Sequence, residues 1–533
     1  MNTSPAAPVF ADASEAAAIV RRICLAYEGS KAKPYNACAR MIAGRARQEI
    51  RRDLARLTPA WRDHAIACVY ATLMPRARRK KLGAYFTPPH LVSHLFATLR
   101  KAGIDPIKDH FRDPAAGGAA FIVPLARVKV GAWRSAGKSR PTILKALREQ
   151  MSGADVEPGL VKLANALIRR MLTHEFGFSD ASVRGLSLVV CADSLAPIAE
   201  AADAKAHEVG NPPYRRLPRA QKRTLQAEFE DIQSGRLNLY AMFVRRALDR
   251  VAPGKLVAYV LPASFLGGPE FTQFRKCVTK HAHVRVIDIV DKRRDLFLDA
   301  TQDACFLVLQ KKSAKIKKNR PTLCGVLRSD GEYDPSGKVV LPKDGRPWKL
   351  AQARARRLTS TLSNWGYRAT IGYLVSNRQP KRLFKTHGAN RYPLIWAKAI
   401  TPDGDFDFPR SGDYRDRLWA SAPPDAPYLV RTACVALQRI STRGQKRRLN
   451  AAAIPTSFLR KHGAIIGENH VIFLVPVSAS AAPPQALAQA MNTPEASAQF
   501  DRMSGSSSIS VRLLESMPLP HPPWRSKTSA RRR

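Results

Sequence analysis

From residue 104 to about residue 312, short β-rich runs alternate with helical ones, and no other feature limits the fold so tightly. "LSLVVCAD" (186–193), "KLVAYVLPA" (255–263), "VRVIDIV" (284–290) and "CFLVLQ" (305–310) are dense in branched and aromatic residues. Between them lie stretches of helical spacing such as "PGLVKLANALIRRML" (158–172) and "NLYAMFVRRALDRV" (238–251). Strands that alternate with helices are covered on both faces and pair mostly in parallel. The expected class is α/β, with a doubly wound Rossmann-like sheet whose ligand crevice lies at the carboxyl ends of its strands.

The flanks have other textures. Residues 13–75 carry apolar residues at helical spacing, with Ile19, Val20, Ile23 and Tyr27 in a helix that Ser14 is placed to cap. "MIAGRARQEIRRDLARL" continues that pattern and "PRARRKK" (75–81) closes it, predicting a basic helical N-terminal segment over 1–80. The run "KKSAKIKKNRPT" is charged, aperiodic and ends in proline, which sets a boundary after residue 312. The α/β domain is therefore expected over 81–312. Residues 313–520, rich in Pro, Gly, Trp and Tyr, predict an α+β domain, and 521–533 a flexible basic tail.

Charge narrows the partners. The 533 residues hold 88 Lys and Arg against 42 Asp and Glu, a formal net charge of +46. Such an excess predicts a polyanion, most commonly nucleic acid, but names no reaction. None of the eight cysteines forms a C-x-x-C pair, and most sit among apolar neighbours, the pattern of buried thiols in a reducing compartment. The start of the chain lacks the basic and apolar regions of a signal peptide, and no apolar run nears the roughly twenty residues that span a bilayer. The expectation is a soluble, cytoplasmic protein with no membrane partner. The 12 histidines include no H-E-x-x-H grouping, so no metal is expected.

Four strand ends carry the chemistry. "DPAAGGAAF" (113–121) places Asp113 and two glycines at the end of a first strand, where small residues admit a ligand close to backbone. "GADVEP" (153–158) ends a second strand in Asp155, at the place where a carboxylate accepts from ribose hydroxyls. The third run ends in Asp193, placed to accept from an adenine amino group. Val156 and Cys191 beside these acids read as core. Each acid alone reads first as a helix N-cap, whereas four polar strand ends in one order define one crevice. The fourth is "GNPPY" (210–214), in which two prolines lock φ, remove two donors and bar a helix from starting at Asn211.

D-P-A-x-G, an acid, a second acid and then N-P-P-Y resembles the S-adenosylmethionine-dependent N6-adenine DNA methyltransferases. "LGAYFTPPHLV" (82–92), ahead of the Gly-rich turn, is similar to that family's extra methionine-binding segment. "NLYAMF" followed by "GKLVAYVLPASFL" (254–266) resembles the helix and strand after its catalytic loop. This order is that of the gamma class, as found in type II restriction-modification systems. "YLVRTACVALQRISTRGQKRRL", "GENHVIFLVP" and "MSGSSSISVRLLESMPLP" resemble, more loosely, its target-recognition domain. The resemblance spans residues 82–520 and implies a class I methyltransferase sheet over 81–312 and a DNA-reading domain over 313–520.

It also implies roles. Asn211 and the Pro212 carbonyl hold the target amino group, Pro213 stiffens the loop, and Tyr214 stacks on the flipped base. Tyr85, Thr87, Asp113, Ala115, Gly117, Asp155 and Asp193 hold S-adenosylmethionine, the expected cofactor. Phe306 is the candidate second aromatic, and Arg215 and Arg216 are candidate phosphate contacts. Double-stranded DNA is the expected partner, and a separately encoded restriction endonuclease is compatible with a methylase-only chain. Two other readings stand beside this one: an RNA or protein-glutamine N-methyltransferase, and a catalytically weak DNA-binding subunit. The last is kept open by departures from the family pattern. Ala116, Gly118 and Ala119 occupy the usual Cys, Ser and second Gly places, and the strand "AHEV" before the catalytic loop is unusually polar. An alanine at 119 is expected to bring a methyl group to the cofactor.

Overall fold

The computed structural model describes residues 11–28, 33–82, 86–197, 204–217, 227–235, 237–290, 304–314, 321–328, 332–348, 350, 360–411, 416–441, 447–503 and 508–522. The chain divides into two compact units, one of Met1–Phe265 with Pro269–Arg346, the other of Leu266–Gly268 with Pro347–Arg533.

The first unit is built on a nine-stranded sheet. Its strands are β1 (Phe111–Asp113), β2 (Met151–Asp155), β3 (Val189–Cys191), β4 (His207–Gly210), β5 (Leu256–Pro262), β6 (Ala282–Val290), β7 (Ala304–Lys311), β8 (Thr322–Leu327) and β9 (Tyr333–Val339). They lie in the order β3-β2-β1-β4-β5-β7-β6-β8-β9. Strands β1 to β5 pair in parallel, whereas β7 runs antiparallel to both β5 and β6. From β1 the chain winds outward through β2 and β3, then returns to β4 on the other side. The sheet thus reverses direction between β1 and β4, and that is where an open α/β sheet leaves a crevice.

The N-terminal helices belong to this unit's core. Ile19, Val20 and Ile23 are buried and share one apolar cluster with Trp61, Ile66, Leu95, Phe111 and Val209. Burying each such side chain stabilises the fold by roughly 1.5–3 kcal/mol, so the described N-terminal helices are packed against the α/β layer. Ser14 falls inside the helix Ala11–Ala26 rather than capping it. Prolines open several later helices, among them Pro59–Leu73, Pro89–Lys101 and Pro158–Phe176, because a missing N–H costs nothing in the first turn. The other difference from the sequence reading lies at the far boundary. Strand β8 pairs in parallel with β6, and β9 pairs antiparallel with β8. The sheet therefore continues past Lys312, and the units part near residue 346.

The second unit is α+β. β10 (Tyr367–Ile371), β11 (Leu383–Phe384), β12 (Arg391–Ile395), β13 (Trp419–Ser421), β14 (Val435–Gln438), β15 (Ala451–Ala453), β16 (Ile466–Gly467) and β17 (Val471–Pro476) form two four-stranded sheets. Their orders are β10-β17-β14-β15 and β11-β13-β12-β16. Along β17 the side chains alternate between cores. Ile472 and Leu474 pack with the helix Pro484–Met491, and Val471 and Phe473 with Ile465 and Leu459. Of the basic tail, only residues 521 and 522 are described.

Candidate active site

Strand β1 ends in a carboxylate that water barely reaches. Asp113 is 1% exposed, and its Oδ1 accepts from the Ala115 amide at 3.0 Å. Its Oδ2 is buried with no hydrogen-bond partner among the described residues. Burial pushes this carboxyl up to about 8; the Ala115 N–H opposes the shift, and Asp155 and Glu208 add to it. The turn that follows needs glycine, because Gly117 has φ +51° and a Cβ there would press on the Phe86 ring at 3.1 Å.

Asp155, at the end of β2, ties the two strand ends together. Its Oδ2 accepts from the Gly117 amide at 2.9 Å and its Oδ1 from the Glu157 amide at 2.8 Å. Burial raises its pKa, against the pull of these two N–H groups.

The departures in the Gly-rich turn have structural explanations. Gly118 faces the helix Pro59–Leu73, where a Cβ would come within 2.5 Å of the Ala67 methyl. Ala119 is held at φ 61°, which costs an L-residue roughly 1–2 kcal/mol. It does not line the main crevice, contrary to the expectation from the sequence. It lines a smaller neighbouring cavity with Ala67, Thr87 and Val123. The polar strand β4 is equally well accounted for. His207 Nδ1 accepts from the Leu256 amide at 3.0 Å, and burial lowers that ring to about 4. Glu208 takes a hydrogen bond from the Tyr259 hydroxyl at 2.5 Å and an ion pair from Arg250 at 2.6 Å. A strand can carry such groups when every one is partnered.

Strand β4 delivers the N-P-P-Y corner beside Asp113. A Cβ on Gly210 would stand 2.7 Å from Asp113 Oδ1, so only glycine lets the two strand ends meet. Asn211 Nδ2 donates to the hydroxyl of buried Thr87 at 3.0 Å. Thr87 of the F-T-P-P segment and Asn211 of the N-P-P-Y loop are 124 residues apart in sequence, and this bond joins them. The loop is pinned on its far side. The Leu217 amide donates to the Leu237 carbonyl at 2.9 Å and the Leu239 amide to the Arg215 carbonyl at 2.7 Å. The Tyr214 hydroxyl donates to the Val260 carbonyl at 3.1 Å, and burial holds that phenol well above its ordinary pKa.

An open crevice lies among these strand ends. Of the residues expected from sequence, Thr87, Asp113, Ala115, Gly117, Asp155, Asn211 and Pro213 line it. Pro212 is buried and absent from the lining. Tyr85 lies outside the described residues. Asp193 is exposed and absent from the lining; its Oδ1 accepts from the Leu195 amide at 2.9 Å, the local turn role of the simpler reading. Tyr214, Arg215 and Arg216 stand off the lining, and Arg216 reaches Glu270 at 3.7 Å. Phe306 is fully buried in β7, its ring 4.8 Å from that of His94, so it presents no face to the crevice.

Lining residues that the sequence reading did not assign to the site include Phe86, Val156, Ser194 and Phe243. Val156, read as core, is 55% exposed, and Cys191 beside β2 is exposed as well. The Ser194 hydroxyl is buried and lacks a partner among the described residues. The signal for Ser194 was present, since it adjoins Asp193 on the turn after β3.

Parallel strands in the order 3-2-1-4-5, a reversed seventh strand between the fifth and sixth, and a polar crevice at the switch point define a class: the class I methyltransferase fold. Within that class, residues 209–297 match the Eco57I restriction-modification methylase family. The chain is 21% identical over 262 residues to the type II methyltransferase M.BsuBI of Bacillus subtilis, covering 46% of this chain and 51% of that one. It is 30% identical over 205 residues to the type II methyltransferase M.PstI of Providencia stuartii, covering 36% and 40%. The matches thus span about half, or less, of the length of these relatives. Among solved structures the chain is similar to the type IIL restriction-modification enzyme MmeI in complex with DNA. That likeness has 13% identity and a TM-score of 0.52, covers 96% of this chain and 82% of that one, and concerns the fold.

Proposed function

We propose that this chain is a site-specific DNA methyltransferase that moves a methyl group from S-adenosylmethionine to N6 of an adenine flipped out of a duplex. The observation that carries this reading is the Asn211–Thr87 hydrogen bond at the mouth of the crevice. An amide whose N–H is held by a hydroxyl keeps its carbonyl oxygen as the acceptor. Asn211 Oδ1 and the Pro212 carbonyl then accept from the two hydrogens of the adenine amino group. The nitrogen's lone pair, delocalised into the ring when planar, is released as the group becomes pyramidal. The two prolines preorganise these acceptors, which stabilise the positive charge that develops on nitrogen. No strong base is needed, because the proton leaves after transfer. Duplex DNA hides the target atom, so the base is extruded, and Tyr214 supports its ring.

The crevice suits a donor rich in hydrogen-bonding groups. Asp113 Oδ2 and the Ser194 hydroxyl are buried polar atoms without partners among the described residues, an arrangement that a polar ligand completes. S-adenosylmethionine supplies a methyl group activated by a sulfonium centre. Thr87, Asp113, Gly117 and Asp155 hold the donor, Ser194 takes the polar role expected of Asp193, and Val156 and Phe243 form apolar walls.

Double-stranded DNA is favoured over RNA or a protein side chain by the basic second unit and by the likeness to MmeI. The reading places the enzyme in the cytoplasm and allows a separately encoded endonuclease partner. No helix among the described residues is long and apolar enough to cross a membrane.

The test is expression in a host free of DNA methylation, with modified bases mapped across its genome. Methyladenine in one short motif is expected. Asn211→Ala should lower that modification by about 10²–10³-fold, the loss typical of one oxyanion-type contact, while S-adenosylmethionine binding persists. Unmodified DNA from a folded, donor-binding wild type would refute the reading.

A further inference from the structure

In the second unit, Tyr373 and Tyr428 lie face to face, their ring planes 2° apart and their centroids 3.8 Å apart. Bare aromatic pairs avoid this sandwich, because like quadrupoles repel. An arginine at the rim of the pair holds it in place through the Tyr428 hydroxyl. The Arg382 guanidinium lies 5.7 Å from the Tyr373 centroid and 5.6 Å from that of Tyr428. It is itself fixed, since Nη2 donates to the Tyr428 hydroxyl at 2.8 Å, and Nε and Nη2 donate to the Ser421 carbonyl at 3.0 and 2.7 Å. Tyr428 packs against the apolar cluster of Leu374, Leu394 and Trp396. Tyr373, on top of it, is 48% exposed.

The mount beneath Tyr373 is rigid. A Cβ on the preceding Gly372 would collide with the backbone of Gly467 and Glu468. The following Leu374 is fully buried, and its amide donates to the Gly467 carbonyl at 3.0 Å. The side chain that protrudes therefore does so from a backbone with no room to adjust.

The chain segment that carries it is basic, although the buried Glu468 carboxylate lies behind it and accepts from Ser376. Residues 371–400 contain Arg378, Lys381, Arg382, Lys385, Arg391 and Lys398 and no Asp or Glu. Arg378 and Lys381 are exposed, whereas Lys385 pairs with Asp416. An aromatic face held open within a cationic segment complements a ligand that has flat rings on an anionic backbone.

We infer that Tyr373, held in place by Tyr428 and Arg382, is a stacking platform for a DNA base freed from the duplex stack, with Arg378 and Lys381 on the neighbouring phosphates. This rests on the DNA reading above and adds to it a residue set for affinity and base preference outside the catalytic crevice. The platform works through the π-face, so Tyr373→Phe keeps it, while Tyr373→Leu retains apolar bulk and loses it.

The experiment uses the full chain, with S-adenosylmethionine, on a randomised-sequence duplex pool, reading both retention of the pool and the motif methylated. Tyr373→Ala and Tyr373→Leu should each weaken retention about tenfold or more, and Tyr373→Phe should match wild type. Tyr373→Ala should leave the slope of log affinity against log salt unchanged, because no phosphate contact is lost. Arg378→Ala and Lys381→Ala should each flatten it by about one. Donor binding by calorimetry checks that every variant is folded. Wild-type retention and an unchanged motif in Tyr373→Ala would overturn the platform and leave the methyltransferase reading standing. A wild-type chain that neither retains nor methylates the pool would refute the DNA reading and the platform together.

Discussion

Gly210 has the carboxylate of Asp113 where other residues have room for a side chain. With Oδ1 2.7 Å from a Cβ at this position, Gly210→Ala must push apart β1 and β4 at the point where the crevice opens. Overpacking of this kind costs about 1–3 kcal/mol, and here it also displaces Asn211. The expected result is a lower melting temperature together with weaker donor binding. A variant that melts and binds like wild type would show that the strand ends can yield. Asp113 itself makes a prediction about pH. Burial raises its folded pKa to about 8, far above its ordinary value. The folded chain therefore keeps a proton that the unfolded chain releases. The group's contribution favours folding at acid pH and is lost as pH rises from about 4 to about 8. Relative to wild type, Asp113→Asn should gain stability steadily over that interval. Urea midpoints at several pH values measure the gap, and a constant gap would mean that the carboxyl titrates normally.

Among the elements, the basic helix Arg76–Leu82 changes meaning between sequence and structure. "PRARRKK" reads as the basic close of the N-terminal segment, yet Arg78 makes a two-pronged bond to Glu157, with Nη2 2.8 Å from Oε2 and 3.0 Å from Oε1. Glu157 is almost fully buried at the end of β2, next to Val156 on the crevice wall. Arg78 thus ties its helix, whose Leu82 also lines the crevice, to the crevice wall. Because the guanidinium is largely exposed, the pair is worth only about 1 kcal/mol, but its loss should loosen that wall. Arg78→Ala is expected to raise the donor's dissociation constant several-fold. Arg78→Lys should recover only part, since an ammonium cannot make the fork. Calorimetry giving equal constants for all three would assign the pair to the surface.

The same contrast shows what could be read beforehand. Strand ends and the N-P-P-Y corner were legible, because β-rich runs and paired prolines act locally. Strands β8 and β9 were not: "TLCGVL" follows a charged linker, and β9 contains Pro335 and Gly337, residues that sheets admit mainly at an edge. Only the long-range pairing of β8 with β6 reveals the first unit's true extent. Phe306 and Val156 failed for a related reason. Whether an apolar residue faces core or crevice depends on neighbours distant in sequence, and a short motif does not record them.

At the scale of the whole molecule, a formal +46 bears on association more than on fold, since net charge governs encounter and non-specific binding. Each phosphate neutralised releases condensed counterions, which gives a slope of about −0.9 in log affinity against log salt. If six to ten phosphates are engaged, duplex affinity should fall by roughly 10³–10⁵ between about 50 and 200 mM salt. The base that is methylated should not depend on salt in the same way. Phosphate contacts set position and register, while sequence is read from base edges and deformability. Fluorescence anisotropy on a duplex carrying the mapped motif, alongside methylation sequencing at both salt concentrations, separates the two quantities. The expected pattern is a steep fall in affinity with an unchanged motif. A motif that broadens at low salt would show the opposite division of labour, with the cationic surface itself choosing among sites. Affinity that barely responds to salt would mean that most of the 88 basic side chains serve solubility and internal pairing, as Arg78, Arg127 and Arg250 already do.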